Sequence, residues 1–95
     1  MDETPKGCAI IAIEAIQRRL GNDMPDPYLG PLGDYLCLKR NVIRPVSISI
    51  SCADLLDNQY SVQICLDGDP LNIDYDDVCD LQTLVELCAQ YFTSN

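Results

Sequence analysis

Apolar residues alternate strictly with serine along residues 46–52, the period-2 pattern of a strand that buries one face and leaves the other in solvent. Residues 59–66 repeat the alternation, with Tyr, Val, Ile and Leu at every second position. An apolar stretch at about 35–40 precedes both segments and completes a run of three strands. Because sequential strands tend to pair, the pattern predicts an antiparallel meander.

A hairpin is predicted directly after the third strand. The Asp67-Gly68 pair is a favoured hairpin turn, because both residue types tolerate positive φ. Residues 71–75 then alternate as a short return strand. Pro70 cannot donate a ladder hydrogen bond, and this indicates that the return strand lies at an edge of the sheet. The sheet is thus expected to contain three or four strands.

Helical periodicity replaces the alternation at both ends of the chain. The first helix is predicted at about 5–20, with Thr4 as its cap and Gly21 as its C-terminal stop. Its apolar arc covers roughly 200°, about twice the stripe that one sheet face requires, so the helix should contact a second surface. Ile10 falls on the polar side of this helix. A second helix with one apolar face is predicted at about 77–92.

These elements predict a single α+β domain over residues 1–95. The fold class is a two-layer sandwich, in which an antiparallel sheet of three to four strands is flanked by an N-terminal and a C-terminal helix in the order αββββα. Residues 21–33 contain three Pro and three Gly and are predicted to form an irregular loop. Tyr28 and Leu29 indicate that this loop lies on apolar surface, either as a lid or as a partner-binding segment.

Charge is distributed very unevenly between the two halves of the chain. Arg44 is the last basic residue, and nine Asp or Glu residues follow it, whereas residues 1–44 carry six acids and six bases. The whole net charge of −9 therefore belongs to residues 45–95. Such a polarised charge bears on partner choice and on encounter rate rather than on fold.

The residue types that the chain lacks exclude most catalytic chemistries. There is no His, so Ser-His-Asp and Cys-His mechanisms have no general base. No glycine-rich nucleotide-binding motif is present. A calcium loop starting at Asp67 would place Asn72 where Gly is required and Val78 where the bidentate Glu belongs. We therefore expect no enzyme activity, no cofactor and no metal site.

Direct nucleic-acid binding is not expected either, because the basic group at positions 39, 40 and 44 is too small to form a basic stripe. The six cysteines show no C-x-x-C spacing, and the acidic N-terminus is unlike a signal peptide. Most of the cysteines are therefore predicted to be small buried hydrophobes, with Cys79 and Cys88 on opposite sides of the second helix. The longest apolar run is too short to span a bilayer, so we expect a cytoplasmic protein without a membrane partner.

The acidic residues are most concentrated between positions 67 and 80. Asp67 and Asp69 are turn formers, and Asp76, Asp77 and Asp80 suit a helix N-terminus, so most of the acids have a local explanation. The absence of any base among them has no such explanation. The segment is therefore either a solvated face that serves solubility or a docking surface for a basic partner. For the second alternative, we predict contacts through Asp67, Asp69, Asp74, Tyr75, Asp76, Asp77 and Asp80.

In size and charge, the chain resembles a type of phage-encoded inhibitor that acts on bacterial defence systems, including anti-CRISPR and anti-restriction proteins. These are small, acidic α+β proteins without cofactors, and several of them present carboxylates where a nuclease complex expects phosphates. The resemblance implies a non-enzymatic inhibitor whose acidic residues dock on the basic, nucleic-acid-binding surface of a partner protein.

A second class of function rests on apolar rather than acidic surface. The wide apolar arc of the first helix and the 21–33 loop are also consistent with a structural or chaperone-like subunit that forms a homodimer or a heteromer. Its contact residues would be Ile10, Ile13, Tyr28 and Leu29. Changing Ile10 or Ile13 to Asp should then produce monomer or aggregate.

Overall fold

A computed structural model of the chain describes residues 7–40, 44–53 and 55–93, which form two helices and five strands. Its architecture is α+β and combines an antiparallel sheet with an N-terminal and a C-terminal helix. A single 3₁₀ turn, Gly21–Asp23, follows the first helix. The elements are α1 (Cys8–Leu20), β1 (Pro27–Leu29), β2 (Tyr35–Arg40), β3 (Val46–Ser51), β4 (Tyr60–Leu66), β5 (Ile73–Cys79) and α2 (Leu81–Phe92).

The five strands follow one another in the sheet in chain order, and every neighbouring pair is antiparallel. Ile48 lies opposite both Leu38 and Ile64, so the apolar positions of three strands fall on the same face. Ser49 lies opposite Cys37 and Gln63 on the other face, which stays partly solvated. The alternation in the sequence therefore becomes one apolar and one polar side of the sheet.

Both helices cover the apolar face and also contact each other. In α1 the fully buried residues are Ala9, Ala12 and Ile16. In α2 they are Leu84 and Cys88. The apolar arc of α1 is wide because one part of it faces the sheet and another part faces α2. The second surface that the sequence predicts for this helix is therefore the other helix.

The sheet has five strands rather than three or four, because part of the 21–33 segment is not irregular. Pro27–Leu29 forms β1 and pairs with β2, with Tyr28 opposite Cys37. An edge strand can begin with proline, since its outward side needs no N–H donor. Three residues are too few to show a period, so the sequence pattern concealed this strand.

The predicted boundary between the return strand and the second helix is also wrong. The strand continues to Cys79 instead of ending at 75, and α2 begins at Leu81 instead of at about 77. Tyr75 and Cys79 of this strand pack against the core. These contacts keep the residues between them, Asp76 and Asp77 included, in the strand. At the other end of the chain, the predicted start of the first helix at 5 and its Thr4 cap lie outside the described residues.

The prediction for the cysteines is wrong in two respects. Cys8 and Cys52 form a disulfide that joins the start of α1 to the end of β3. Cys79 lies on a strand and packs against the same core as Cys88, because helical geometry does not apply at position 79. Cys88 is buried as expected, while Cys37 and Cys65 are partly exposed on the solvated side of the sheet. No helix among the described residues has the length and apolar character needed to cross a membrane.

Candidate functional site

The predicted partner-binding residues lie along one edge of the sheet. They occupy the turn after β4, the strand β5 and the residue that caps α2. All six carboxylates are exposed, and the tyrosine between them is partly buried. We call this surface the acidic edge; it consists of Asp67, Asp69, Asp74, Tyr75, Asp76, Asp77 and Asp80.

The turn at the start of the acidic edge uses its carboxylates for local structure. Asp67 and Gly68 adopt φ values of 60° and 70°, and the Asp69 N–H closes the turn on the Leu66 carbonyl at 3.1 Å. The Asp69 carboxylate also accepts a hydrogen bond from the Leu71 N–H at 2.9 Å. Both aspartates therefore stabilise the hairpin, and this local role explains their presence without a partner.

Along β5 the carboxylates are divided between the two sides of the sheet. Asp76 lies opposite Gln63 and shares the solvated face, whereas Asp77 lies opposite Val62 on the side that carries the helices. Asp74 is the extra residue of a β-bulge and accepts a hydrogen bond from the Tyr91 hydroxyl of α2. The negative charge is therefore presented on an edge rather than on a flat face.

Asp80 is the residue for which the predicted role at a helix N-terminus is correct. Its carboxylate accepts a hydrogen bond from the Thr83 N–H at 2.9 Å. The hydrogen bonds from Thr83 hold the pKa of Asp80 below its ordinary value of 3.8. A second contact supports the same terminus, since the Leu81 N–H donates to the Asn58 side chain at 3.0 Å. Asp76 and Asp77, which were predicted to share this role, lie in the strand instead.

The cap leads to a prediction about pH and stability. Asp80→Ala should lower the thermal midpoint of unfolding. Asp80→Asn should lower it much less, because asparagine is also an effective N-cap. The pKa of Asp80 is depressed in the folded state, so its contribution is complete above pH 3.8 and is lost as pH falls through the lower folded value. Circular-dichroism melts from neutral pH to about pH 2.5 should show the difference between wild type and Asp80→Ala shrinking with acid. A constant difference would show that the charge of Asp80 has no role.

The tyrosines of this region are not acid–base groups at neutral pH. Burial, followed by the hydrogen bond to Asp74, raises the pKa of Tyr91 to about 12. Burial is also the main cause of the raised pKa of Tyr75, to which the charges of Cys79 and Asp77 add. Both hydroxyls therefore stay protonated at neutral pH and can donate hydrogen bonds. Within the described part of the chain, no group of three or more His, Cys, Asp or Glu could hold a metal ion.

Positive charge in the described chain is divided between α1 and the hairpin end of the acidic edge. Arg19 of α1 pairs with Glu86 of α2 at 3.5 Å, and both side chains are about half exposed. The Arg40 guanidinium lies over the Phe92 ring at 6.0 Å from its centroid. Arg40 and Arg44 line a cleft at the hairpin end of the sheet, together with Asp67 and Asp74. None of the six carboxylates of the acidic edge, Asp67 and Asp74 included, forms an ion pair with a residue in the described ranges.

Comparison with models of protein families, with curated proteins and with solved structures found no match to this chain.

The apolar residues predicted for a second contact surface do not stay together. Ile10 and Ile13 are partly buried, and Ile13 packs against the core. Tyr28 is 59% exposed and forms an edge-to-face pair with Tyr35 at 6.3 Å, and Leu29 is exposed beside it. The two exposed residues of this predicted set thus belong to β1, while α1 exposes a different residue, Ile11, at 41%. Leu32, which the sequence also suggested would lie on apolar surface, is in the following turn and is 82% exposed.

Sequence reasoning missed two apolar residues on the acidic edge. Ile73 and Val78 of β5 are each 45% exposed. The signal was present, because residues 73–79 contain three β-branched or aromatic residues, which favour a strand over a helix. Reading the aspartates as helix-start residues concealed this signal.

Proposed function

We propose that this chain is a non-enzymatic binding protein whose acidic edge docks on a basic surface of a partner protein. The observation that carries the proposal is the arrangement of β5, an exposed edge strand with carboxylates on both of its sides. Asp76 and Asp77 accept no hydrogen bond from a cation in the described chain, so their charge is available to a partner. Local structure explains the acids of the turn and of the helix cap but not these two.

Charge and apolar contact would contribute to different stages of binding. A field of one sign steers a basic partner during diffusion and raises the association rate, most strongly at low salt. The side chains of Ile73 and Val78 would then bury apolar area and slow dissociation, since each is nearly half exposed in the free protein. Tyr75 lies on the opposite face of the same strand and has a hydroxyl that can donate a hydrogen bond.

A nucleic-acid-binding surface is the partner chemistry that this arrangement fits best. Such surfaces are clefts of Lys and Arg that hold a row of phosphates, and closely spaced carboxylates offer them a similar row of anions. We propose that the protein is an inhibitor that competes with nucleic acid, of the general type that its size and charge resemble. We expect this competition to take place in the cytoplasm of the producing or host cell.

The proposal is tested by competition rather than by capture alone. A partner captured from host lysate at low salt is incubated with a fluorescent DNA or RNA oligonucleotide, and the oligonucleotide is displaced with increasing amounts of this protein. We expect displacement by the wild type and no effect of an equal concentration of an unrelated protein of similar net charge. A captured partner that keeps its oligonucleotide bound at saturation would contradict the proposed competition.

The exposed apolar residues around β1 favour one further candidate function, a subunit that assembles through this opposite edge. Tyr28, Leu29 and Leu32 are all exposed there. Sedimentation at tens of micromolar would then show a dimer, and Leu32→Asp should dissociate it without unfolding the chain. Ile13→Asp is not a useful test, because Ile13 packs against the core and its substitution would report on folding. A monomeric wild type at this concentration excludes a stable homodimer.

A further inference from the structure

The outer side of β5 is an open sheet edge. The order of strands ends at β5, and no strand in the described ranges pairs with its second side. The opposite edge is much less suited to pairing, because β1 has three residues and begins with Pro27, which has no N–H. β5 has seven residues and contains no proline. An edge of this length can accept an additional strand through backbone hydrogen bonds.

The hydrogen bonds of the hairpin show which backbone groups of β5 are free. The Leu66 N–H donates to the Asn72 carbonyl at 3.0 Å and is therefore directed at the β5 side. Because backbone groups alternate between the two sides of a strand, the N–H groups of Ile64, Val62 and Tyr60 are directed at β5 as well. Their partners in the register are Tyr75, Asp77 and Cys79, whose backbone groups must point back at β4.

The backbone groups of Asp76 and Val78 therefore point outward. A separate contact agrees with this assignment, because the Val78 N–H donates to the Asp77 carboxylate at 2.8 Å. In the free protein Asp77 thus covers one of the outward donors of the edge. A docking strand would replace the carboxylate with a backbone carbonyl and release Asp77 to pair with a cation of the partner.

We infer that the acidic edge binds an extended, basic segment of its partner as a sixth strand of the sheet. This inference rests on the proposed function and specifies how the partner is bound. The exposed carboxylates select the occupant, since Lys or Arg opposite Asp76 and Asp77 gives favourable cross-strand pairs. A second copy of β5 would bring carboxylates close to one another, and like charges across a strand pair are destabilising. Val78 and Ile73 add an apolar contact on the solvated face.

The experiment uses as the probe a capped nine-residue peptide in which Lys-Lys pairs alternate with Val-Val pairs, so that Lys is presented on both faces of the strand. Its control is the same peptide with the backbone nitrogens methylated at every second residue. Methylation keeps the charge of the side chains and removes the backbone N–H donors along one edge of the peptide strand. Binding is followed by NMR, with hydrogen exchange of the Asp76 and Val78 amides as the direct readout. We expect the unmethylated peptide to bind with a dissociation constant of no more than about 1 mM. At saturation it should slow hydrogen exchange of both amides roughly tenfold or more.

A pair of variants at Val78 tests the same pairing from the protein side. Val78→Pro removes an outward N–H and leaves the ladder with β4 intact, and proline is tolerated at such an edge position. Val78→Ala removes most of the side chain and keeps the N–H. We expect Val78→Pro to weaken peptide binding at least about tenfold more than Val78→Ala does. If Val78→Pro does not fold, the exchange measurement on the wild type decides alone.

The outcomes separate this inference from the proposed function. Peptide binding that is equal for the methylated and unmethylated forms, or absent for both, overturns strand addition. Competition with nucleic acid can then still succeed through the carboxylates alone. Protected Asp76 and Val78 amides support strand addition even if the captured partner keeps its oligonucleotide, and in that case only the nucleic-acid competition fails.

Discussion

Changing Asp74, Asp76 and Asp77 together to Asn is expected to reduce affinity for the captured partner roughly 100-fold, about 3 kcal/mol, at low salt. The reason is that these three exposed carboxylates lie within four residues of an edge strand, and neutral side chains of the same shape remove their charge without removing their volume. Fold should be preserved, because Asn can still accept the hydrogen bonds that Asp74 receives from Tyr91 and Asp77 from the Val78 N–H. Isothermal calorimetry or surface plasmon resonance measures the change.

The matched control removes the same amount of charge from another part of the surface. Glu14→Gln, Asp23→Asn and Asp26→Asn lie on α1, on the 3₁₀ turn and just before β1, and all three side chains are exposed. We expect this control to weaken binding no more than about threefold, because long-range charge is screened beyond roughly 10 Å at moderate salt. Equal losses for the two triple variants would show that net charge alone matters and that β5 is not the contact.

Reducing or removing the Cys8–Cys52 disulfide is expected to lower the free energy of unfolding by about 4 kcal/mol. The bond closes a loop with a sequence separation of 44 residues. In the chain-entropy model, a cross-link that closes a loop of this length lowers the entropy of the unfolded chain and so raises its free energy by about 4 kcal/mol. A domain of this size has a total stability on the order of 5–15 kcal/mol, so the loss is a large fraction and corresponds to a fall in the melting temperature of roughly 20 °C.

Urea denaturation of the wild type with and without reductant measures this effect, and the double variant Cys8→Ser, Cys52→Ser should match the reduced protein. Cys37→Ser with Cys65→Ser is the control, because both residues are free thiols on the partly solvated face of the sheet. It removes two thiols without removing a cross-link. Identical unfolding midpoints in oxidised and reduced protein would contradict the stabilising role. The cytosol keeps thiols reduced, so the reduced form should be included in the binding experiments.

The sheet was the part of the fold most accessible from the sequence. The Val46–Ser51 strand shows a strict alternation because one of its faces is buried and the other is solvated, and this arrangement leaves a clear period in the chain. Helix α2 shows its apolar face in the same way, with Leu84, Cys88 and Phe92 buried. The α+β class and the antiparallel arrangement follow from these patterns.

The elements that sequence reasoning missed are those with weak or ambiguous local signals. β1 is three residues long and is held by its pairing with β2, which no local period reveals. The aspartates at 76 and 77 favour a helix N-terminus by local preference, but the core contacts of Tyr75 and Cys79 keep this segment in the sheet. The disulfide joins residues 44 positions apart, and their proximity depends on the complete fold.

The candidate site was located by charge, but its geometry depends on the structure. The sequence predicts a partner contact between positions 67 and 80, where bases are absent. It places Asp76, Asp77 and Asp80 at the start of a helix, whereas Asp76 and Asp77 lie along an open strand. This difference changes the expected mode of binding from a helix terminus to a sheet edge.

The most direct test of the acidic edge is the association rate constant of the protein with its captured partner, measured by stopped-flow fluorescence between about 20 and 300 mM salt. Electrostatic steering by Asp74, Asp76 and Asp77 predicts that the wild-type rate constant falls at least roughly tenfold over this range. The Asn triple variant should start lower and change much less. Wild type and variant with the same salt dependence would contradict the acidic edge as the docking surface.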